Sequence, residues 1–282
     1  DRLLRIEGPS DALRNPARQY ACMRIAAEAG VAPRLIHADA EAGVAITDFI
    51  SPSPAANLTR DHRLRTLIRS VATLHAAPRF PELVDIFDGV SAVIEQTRLT
   101  QAMPAAGMEL LTGLFGEFTR RYPRSASDLV SSHNDLNPGN VLFEGERAWI
   151  VDWESAFAAD RFMDLAAVAN FFAADAADEE LILQTYFGQA LDDHRRARLF
   201  LMQQVNRLFY SAMLLNAAVA VQPELKLTAE DLRTPRFSEI RGEAASMATQ
   251  AGRARFACAF LKEAAHAFES PRLTWATAQL RA

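Results

Sequence analysis

Four polar residues, His133, Asp135, Asn140 and Asp152, interrupt a mid-chain stretch whose remaining pattern is that of short strands. The stretch reads Ser132-His133-Asn134-Asp135-Leu136-Asn137-Pro138-Gly139-Asn140-Val141-Leu142-Phe143, and Ile150-Val151-Asp152-Trp153-Glu154 follows. Val141-Leu142-Phe143 and Trp149-Ile150-Val151 are joined by Glu144-Gly145-Glu146, the composition of a hairpin and its turn. A hairpin brings its two ends together, so Asn140 and Asp152 are expected side by side. One amide oxygen and one carboxylate, completed by water and phosphate oxygens, suit Mg²⁺. Asp135 falls on the loop before the hairpin, where Pro138 and Gly139 shape a turn and a carboxylate can meet a hydroxyl. Base, metal ligands and loop together suit phosphoryl transfer, which asks a protein mainly for positioning and charge. The competing reading is a polar turn with Asp135 as a helix cap.

The elements around this stretch change character along the chain. Leu3–Ile6 reads as a strand closed by Gly8-Pro9, and Asn15-Pro16 as a helix start, Asn capping and Pro in the first turn. That helix runs to Gly30. Strand-like runs at Arg34–Ala38 and Val44–Ile50 precede a break at Ser51-Pro52-Ser53-Pro54. Beyond it, Leu64, Leu67, Ile68, Val71 and Leu74 recur at helical spacing, as do Leu110, Leu111, Leu114 and Phe118. After residue 160 helices are expected over 161–173, 178–188, 192–219 and 236–268. The expected class is α+β and bilobal: a small mixed lobe over residues 1–50, and a large, mainly helical lobe over 51–282 carrying one hairpin.

Composition narrows the partners. The net charge of −5 and the lack of a basic stripe argue against a nucleic-acid binder, and no apolar run is long enough to span a membrane. Cys22 and Cys258 are far apart and read as buried thiols of a reducing, cytoplasmic compartment. Abundant Ala and Arg point to a bacterial source. Only Lys226 and Lys262 are lysines, so a phosphate-gripping cation near the N-terminus must be an Arg. The chain starts without Met, and residues upstream of Asp1 are expected.

At His133-Asn134-Asp135-Leu136, Asn140 and Asp152-Trp153-Glu154, the chain resembles the choline/ethanolamine kinase and aminoglycoside phosphotransferase superfamily, which has a protein-kinase-like fold. Gly30-Val31-Ala32-Pro33, Leu74-His75 and Asp164-Leu165 extend the resemblance, which runs from Leu3 to about residue 220. Asn134 and Glu154 lean towards choline kinase-like members, whereas Ser155-Ala156-Phe157 lacks a Tyr usual in them. The resemblance implies ATP and Mg²⁺ as cofactors, Asp135 as catalytic base, and Asn140 and Asp152 as metal ligands. It also implies Arg5 as the nucleotide-gripping cation, and Thr47, Asp48, Phe49 and Ile50 as the hinge that meets the adenine. His133 would brace the catalytic loop. Gln19 stands where the family carries a Glu paired with the strand cation; it would hydrogen-bond Arg5 without supplying charge. A phosphate-covering loop is expected before residue 1.

For the acceptor, a quaternary ammonium asks for aromatic faces and a carboxylate. Trp153, Glu154 and Tyr210 are the candidates, with Phe209 and Trp275 behind them and helix packing as the competing reading of the later aromatics. Asn137 is placed to position the acceptor, and Asp164 to cap a helix over 165–172 and support the site from behind. The expected function is Mg²⁺-dependent phosphorylation of a small, cationic alcohol, choline or ethanolamine. An aminoglycoside, thiamine or sugar kinase, and a non-catalytic nucleotide binder, remain as alternatives.

Overall fold

The computed structural model describes residues 1–8, 15–52 and 58–281 of the chain. The strands in chain order are β1 (Arg2–Ile6), β2 (Leu35–Asp39), β3 (Val44–Asp48), β4 (Leu129–Ser132), β5 (Val141–Glu144), β6 (Arg147–Ile150) and β7 (Phe157–Asp160). The first helices are α1 (Pro16–Glu28), α2 (Arg60–Ala76), α3 (Ile86–Thr100), α4 (Ala105–Arg121) and α5 (Arg161–Phe172). The others are α6 (Ala176–Phe187), α7 (Asp193–Val221), α8 (Phe237–Ile240), α9 (Gln250–Glu269) and α10 (Pro271–Gln279). Short 3₁₀ turns join several of them. The turn expected at Gly8-Pro9 and the break at Ser51–Pro54 lie partly outside the described residues.

One compact unit comprises Asp1–Leu83 and Arg124–Leu191. Its three-stranded antiparallel sheet has the order β1-β3-β2, with Arg5 opposite Ala45 and Leu3 opposite Thr47. Helix α1 begins where Asn15 Oδ1 accepts the Arg18 amide at 3.1 Å, and it ends before Gly30, whose φ of 77° suits glycine. Helix α2 buries Leu64, Leu67, Ile68, Val71 and Leu74, an apolar stripe at i, i+3, i+4 and i+7 that packs on β4 and β6. The hairpin β5–β6 is a separate ribbon, pairing Val141 with Ile150 and Glu144 with Arg147. Strand β4 pairs instead with β7, Ser132 opposite Phe157, so residues 133–140 bridge two ribbons rather than two strands of one sheet.

The other unit comprises Val84–Pro123 and the chain from Asp192 on. The long helix α7 packs there against α3, α4, α9 and α10. Phe237 stacks on Phe260 at 4.1 Å between ring centroids, and Tyr210 stacks on Phe260 at 5.7 Å. The single helix expected over 236–268 is broken into α8, a 3₁₀ segment over Arg241–Ala248, and α9, which Thr249 caps by accepting the Gly252 amide. Among the described residues no helix is long and apolar enough to cross a membrane. Cys22 and Cys258 are buried free thiols whose pKa values burial pushes up to about 12.

Candidate active site

The loop after β4 is held from its backbone outward. Asn134 takes a left-handed conformation with φ of 65°, which Asn tolerates better than most residues. Its Oδ1 accepts from the Ser132 hydroxyl at 2.8 Å, and its Nδ2 donates to the Ser155 carbonyl at 3.0 Å. Asn134 therefore ties the loop to the segment after the hairpin. Asn134→Ala loses these bonds and strains a left-handed backbone, and is expected to lower stability by about 2–4 kcal/mol in urea unfolding. The His133 ring lies between two backbone groups: Nδ1 accepts the Asp135 amide at 3.3 Å and Nε2 donates to the Val151 carbonyl at 2.9 Å. These two partners select the tautomer with hydrogen on Nε2.

Asp135 projects from this braced loop, half-buried. Its Oδ1 accepts from Asn137 Nδ2 at 3.1 Å and its Oδ2 from Asn140 Nδ2 at 3.0 Å. Asn140 Nδ2 also donates to the Asp135 carbonyl at 2.8 Å, so both of its amide hydrogens serve Asp135. The ladder of the hairpin continues one step beyond β5 and β6, the Val151 amide donating to the Asn140 carbonyl at 3.0 Å. Asn140 and Asp152 thus flank the same end of one ribbon.

Asp152 is also left-handed, with φ of 66°, and opens the short turn Trp153–Ser155. Its Oδ1 accepts from Arg5 Nη1 at 2.6 Å, and Glu154 Oε2 lies 3.5 Å from Arg5 Nη2. Buried Arg18 supports this turn, donating from Nη2 to the Glu154 carbonyl at 2.8 Å. Partial burial works against the charge of Arg5, but Asp152 and Glu7 outweigh it and hold the guanidinium pKa above its ordinary value. Sequence reasoning missed Glu7, whose signal was its place two residues from Arg5, just past the end of β1. It also missed Arg18, for which no pattern in the chain pointed to the turn. The expected bond between Gln19 and Arg5 is absent: Gln19 Nε2 donates to Glu7 Oε1 at 2.8 Å, and Glu7 is the residue that meets Arg5.

Asp164 is placed differently from its expected role as a cap. Helix α5 starts earlier, at Arg161, and Asp160 caps it by accepting the Phe162 amide at 2.9 Å. Fully buried Asp164 accepts instead from the backbone amides of His133 at 2.9 Å and Asn134 at 2.7 Å. His75 Nε2 lies 3.0 Å from the same carboxylate, and His75 Nδ1 lies 2.7 Å from the Tyr186 hydroxyl. Asp164 thereby clamps the loop two residues before Asp135.

Two of the aromatic candidates are spent on packing. Trp153 is 1% exposed and stands edge-on to His133 and Phe80, and Tyr210 is 2% exposed within the other unit. Neither presents an open ring face, because each fills core volume. Asn137 keeps a turn role as well, its Oδ1 accepting the Gly139 amide at 2.8 Å. At the expected hinge, Thr47 pairs within the sheet between Leu3 and Leu35. The Asp48 amide donates to Arg34 and the Phe49 amide to Asp1, which leaves Ile50 as the hinge residue whose amide meets no partner among the described residues. The Asp48 side chain pairs with Arg34 at 3.0 Å, and this bond lowers its carboxyl pKa.

Among the described residues no three His, Cys, Asp or Glu side chains gather as a metal cage. The pair at the hairpin end is of another kind. With both Asn140 hydrogens on Asp135, Asn140 Oδ1 is the atom left to offer, and half-exposed Asp152 flanks the same end of the ribbon. An all-oxygen pair fits Mg²⁺, which binds through one or two protein groups and completes its shell with phosphates and water.

The family model described as the phosphotransferase enzyme family matches residues 1–200. Protein LicA of Haemophilus influenzae is 26% identical over 165 residues, covering 56% of this chain and 60% of that protein. The chain thus spans less than two thirds of the curated relatives it matches. Among solved structures, a choline/ethanolamine kinase family protein from Mesorhizobium loti aligns with TM-score 0.71 and 23% identity, over 100% of this chain and 87% of that one. Choline kinase LicA from Streptococcus pneumoniae aligns with TM-score 0.62 and 16% identity, over 90% and 85%. At these identities the two structures share the α+β, kinase-like fold with this chain.

Proposed function

We propose, from the premise that this chain belongs to the phosphotransferase enzyme family, that it transfers the terminal phosphoryl group of ATP to the hydroxyl of a small amino alcohol, choline or ethanolamine. The observation that carries this reading is the Asn140 amide, which binds Asp135 with its hydrogens and leaves its oxygen to offer, at the ribbon end that Asp152 also flanks. One side chain thus couples the position of a base to the position of a metal ligand.

In this reading Asp135 accepts a hydrogen bond from the acceptor hydroxyl and takes its proton as the oxygen–phosphorus bond forms and the bond to the ADP oxygen breaks. Asn137 and Asn140 keep the carboxylate oriented. Asn140 Oδ1 and Asp152 would hold Mg²⁺, which would offset the charge of the phosphates. Arg5 lies close enough to Asp152 to reach the same phosphates, its planar fork suiting them as an ammonium would. Glu154 supplies negative charge for a cationic acceptor, with a half-exposed carboxylate at the same turn.

A second reading keeps the chemistry and changes the acceptor. Trp153 and Tyr210 are buried, which removes two of the named walls of an aromatic cage. That favours an acceptor held by hydrogen bonds and charge, such as an aminoglycoside. The deciding experiment measures acceptor-dependent ADP release with Mg-ATP and choline, ethanolamine, thiamine, sugars and aminoglycosides. Turnover selective for choline or ethanolamine is expected. Turnover with an aminoglycoside alone would replace the acceptor, and Mg-ATP binding without any acceptor-dependent release would favour a nucleotide binder that does no transfer.

A further inference from the structure

We propose that Glu7 is the anionic positioning residue for Arg5 that helix α1 lacks at Gln19, holding the guanidinium by one edge so that its other edge is free to exchange partners for phosphate. The inference rests on the reading of Arg5 as a phosphate ligand.

Arg5 uses its nitrogens in two distinct ways. Nε lies 2.6 Å from Glu7 Oε1, while Nη1 and Nη2 face Asp152 and Glu154. The two sides differ in shelter. The Glu7 side chain is 12% exposed and Gln19 2%, whereas Asp152 and Glu154 side chains are 37% and 39% exposed. Glu7 is also fixed at its root, its amide donating to the Gly43 carbonyl at 2.8 Å. The sheltered edge is therefore the permanent one. Asp152 and Glu154 sit where a polyphosphate and its cation would arrive, and there the terminal nitrogens can trade carboxylate oxygens for phosphate oxygens.

Gln19 follows from this arrangement. Its Nε2 donates to the same Glu7 oxygen that Arg5 Nε meets, so the oxygen has two donors. A carboxylate at position 19 would face Glu7 at hydrogen-bond distance, with like charges in a sheltered place. Gln19 is thus the complement of a carboxylate that sits just past the strand β1 instead of on the helix. The charge has changed its carrier.

The test exchanges the two side chains. Glu7→Gln, Gln19→Glu and the double variant E7Q/Q19E are compared with the wild-type chain for Mg-ADP affinity by calorimetry, and for melting temperature. Exchange of the Arg5 Nε hydrogen with solvent, followed by nitrogen NMR without nucleotide, reports the contact itself. Glu7→Gln is expected to weaken Mg-ADP about 10- to 100-fold, the worth of one charge-assisted hydrogen bond, and to speed that exchange. Gln19→Glu is expected to weaken binding too, and the double variant to return to within about threefold of wild type, a non-additive cycle. Unchanged affinity and exchange in Glu7→Gln, or a double variant in which the two losses add, would overturn the inference. A wild type that binds no Mg-ADP would overturn the phosphotransferase reading itself, and Arg5 exchange would still report whether Glu7 holds the guanidinium.

Discussion

Asp135→Asn is expected to lower kcat by about 10²- to 10⁴-fold while leaving KM for Mg-ATP near its wild-type value, the range that a positioned acid–base group contributes. The split follows from where Asp135 sits. Its two oxygens meet Asn137 and Asn140, both on its own loop. The substitution preserves shape, yet turns one oxygen that accepts from an amide into a second donor. Single-turnover measurements with saturating Mg-ATP separate the chemical step from binding. An equal fall in kcat and in nucleotide affinity would mean that the loop had moved as a whole, and Asp135 would lose its assigned role.

The second large effect is on stability. Asp164→Asn is expected to cost about 3–5 kcal/mol, the usual penalty for breaking a buried, fully bonded ionic partner. The His133 amide, the Asn134 amide and His75 all point donors at this carboxylate. A carboxamide has one oxygen to offer, and its NH₂ would face a donor. Burial opposes ionisation of Asp164, but the His75 hydrogen bond and charge, with His133 close by, outweigh it and hold the pKa below the ordinary carboxylate value. The sign for pH follows. With the folded pKa depressed, this stabilisation is fully present above the unfolded value of about 3.9 and is lost as pH falls through the folded pKa. The stability difference between wild type and variant should therefore shrink as pH falls below about pH 4. Chemical denaturation between about pH 5 and about pH 3 checks it, and a difference that stays constant as pH falls through that range would contradict it.

What could be read in the chain, and what could not, divides along locality. The hairpin was legible because two apolar runs flank a Gly-containing turn, and Gly145 takes the φ of 56° that such a turn needs. The start of α1 was legible in Asn15-Pro16, since capping is a local bond. Strand β7 was not. Phe157-Ala158-Ala159-Asp160 is buried throughout and shows no alternation, and its partner β4 is distant in sequence. The break before α9 had a signal that periodicity hid: an added side chain at Gly252 would stand 1.8 Å from the Ser246 carbonyl, so glycine permits the chain to double back there. Pro271 likewise marked the start of α10.

The same division runs through the site. Asp135, Asn140 and Asp152 could be placed together because one hairpin carries two of them and the third is on the adjoining loop. The fate of Trp153 could not be read, because a turn residue beside a motif is as well suited to a wall as to a core. Which side chain meets Arg5 depended on how α1 lies on the sheet, and that is set by packing rather than by any local pattern.

The most direct test of a single phosphoryl-transfer site is phosphorus NMR of the full chain incubated with Mg-ATP and an amino alcohol. A new phosphomonoester signal should grow as ATP is consumed, and it should be missing without Mg²⁺ and greatly slowed in Asp135→Asn. Steady formation of the phosphomonoester by Asp135→Asn at the wild-type rate, or by the wild type in the presence of a chelator, would contradict it.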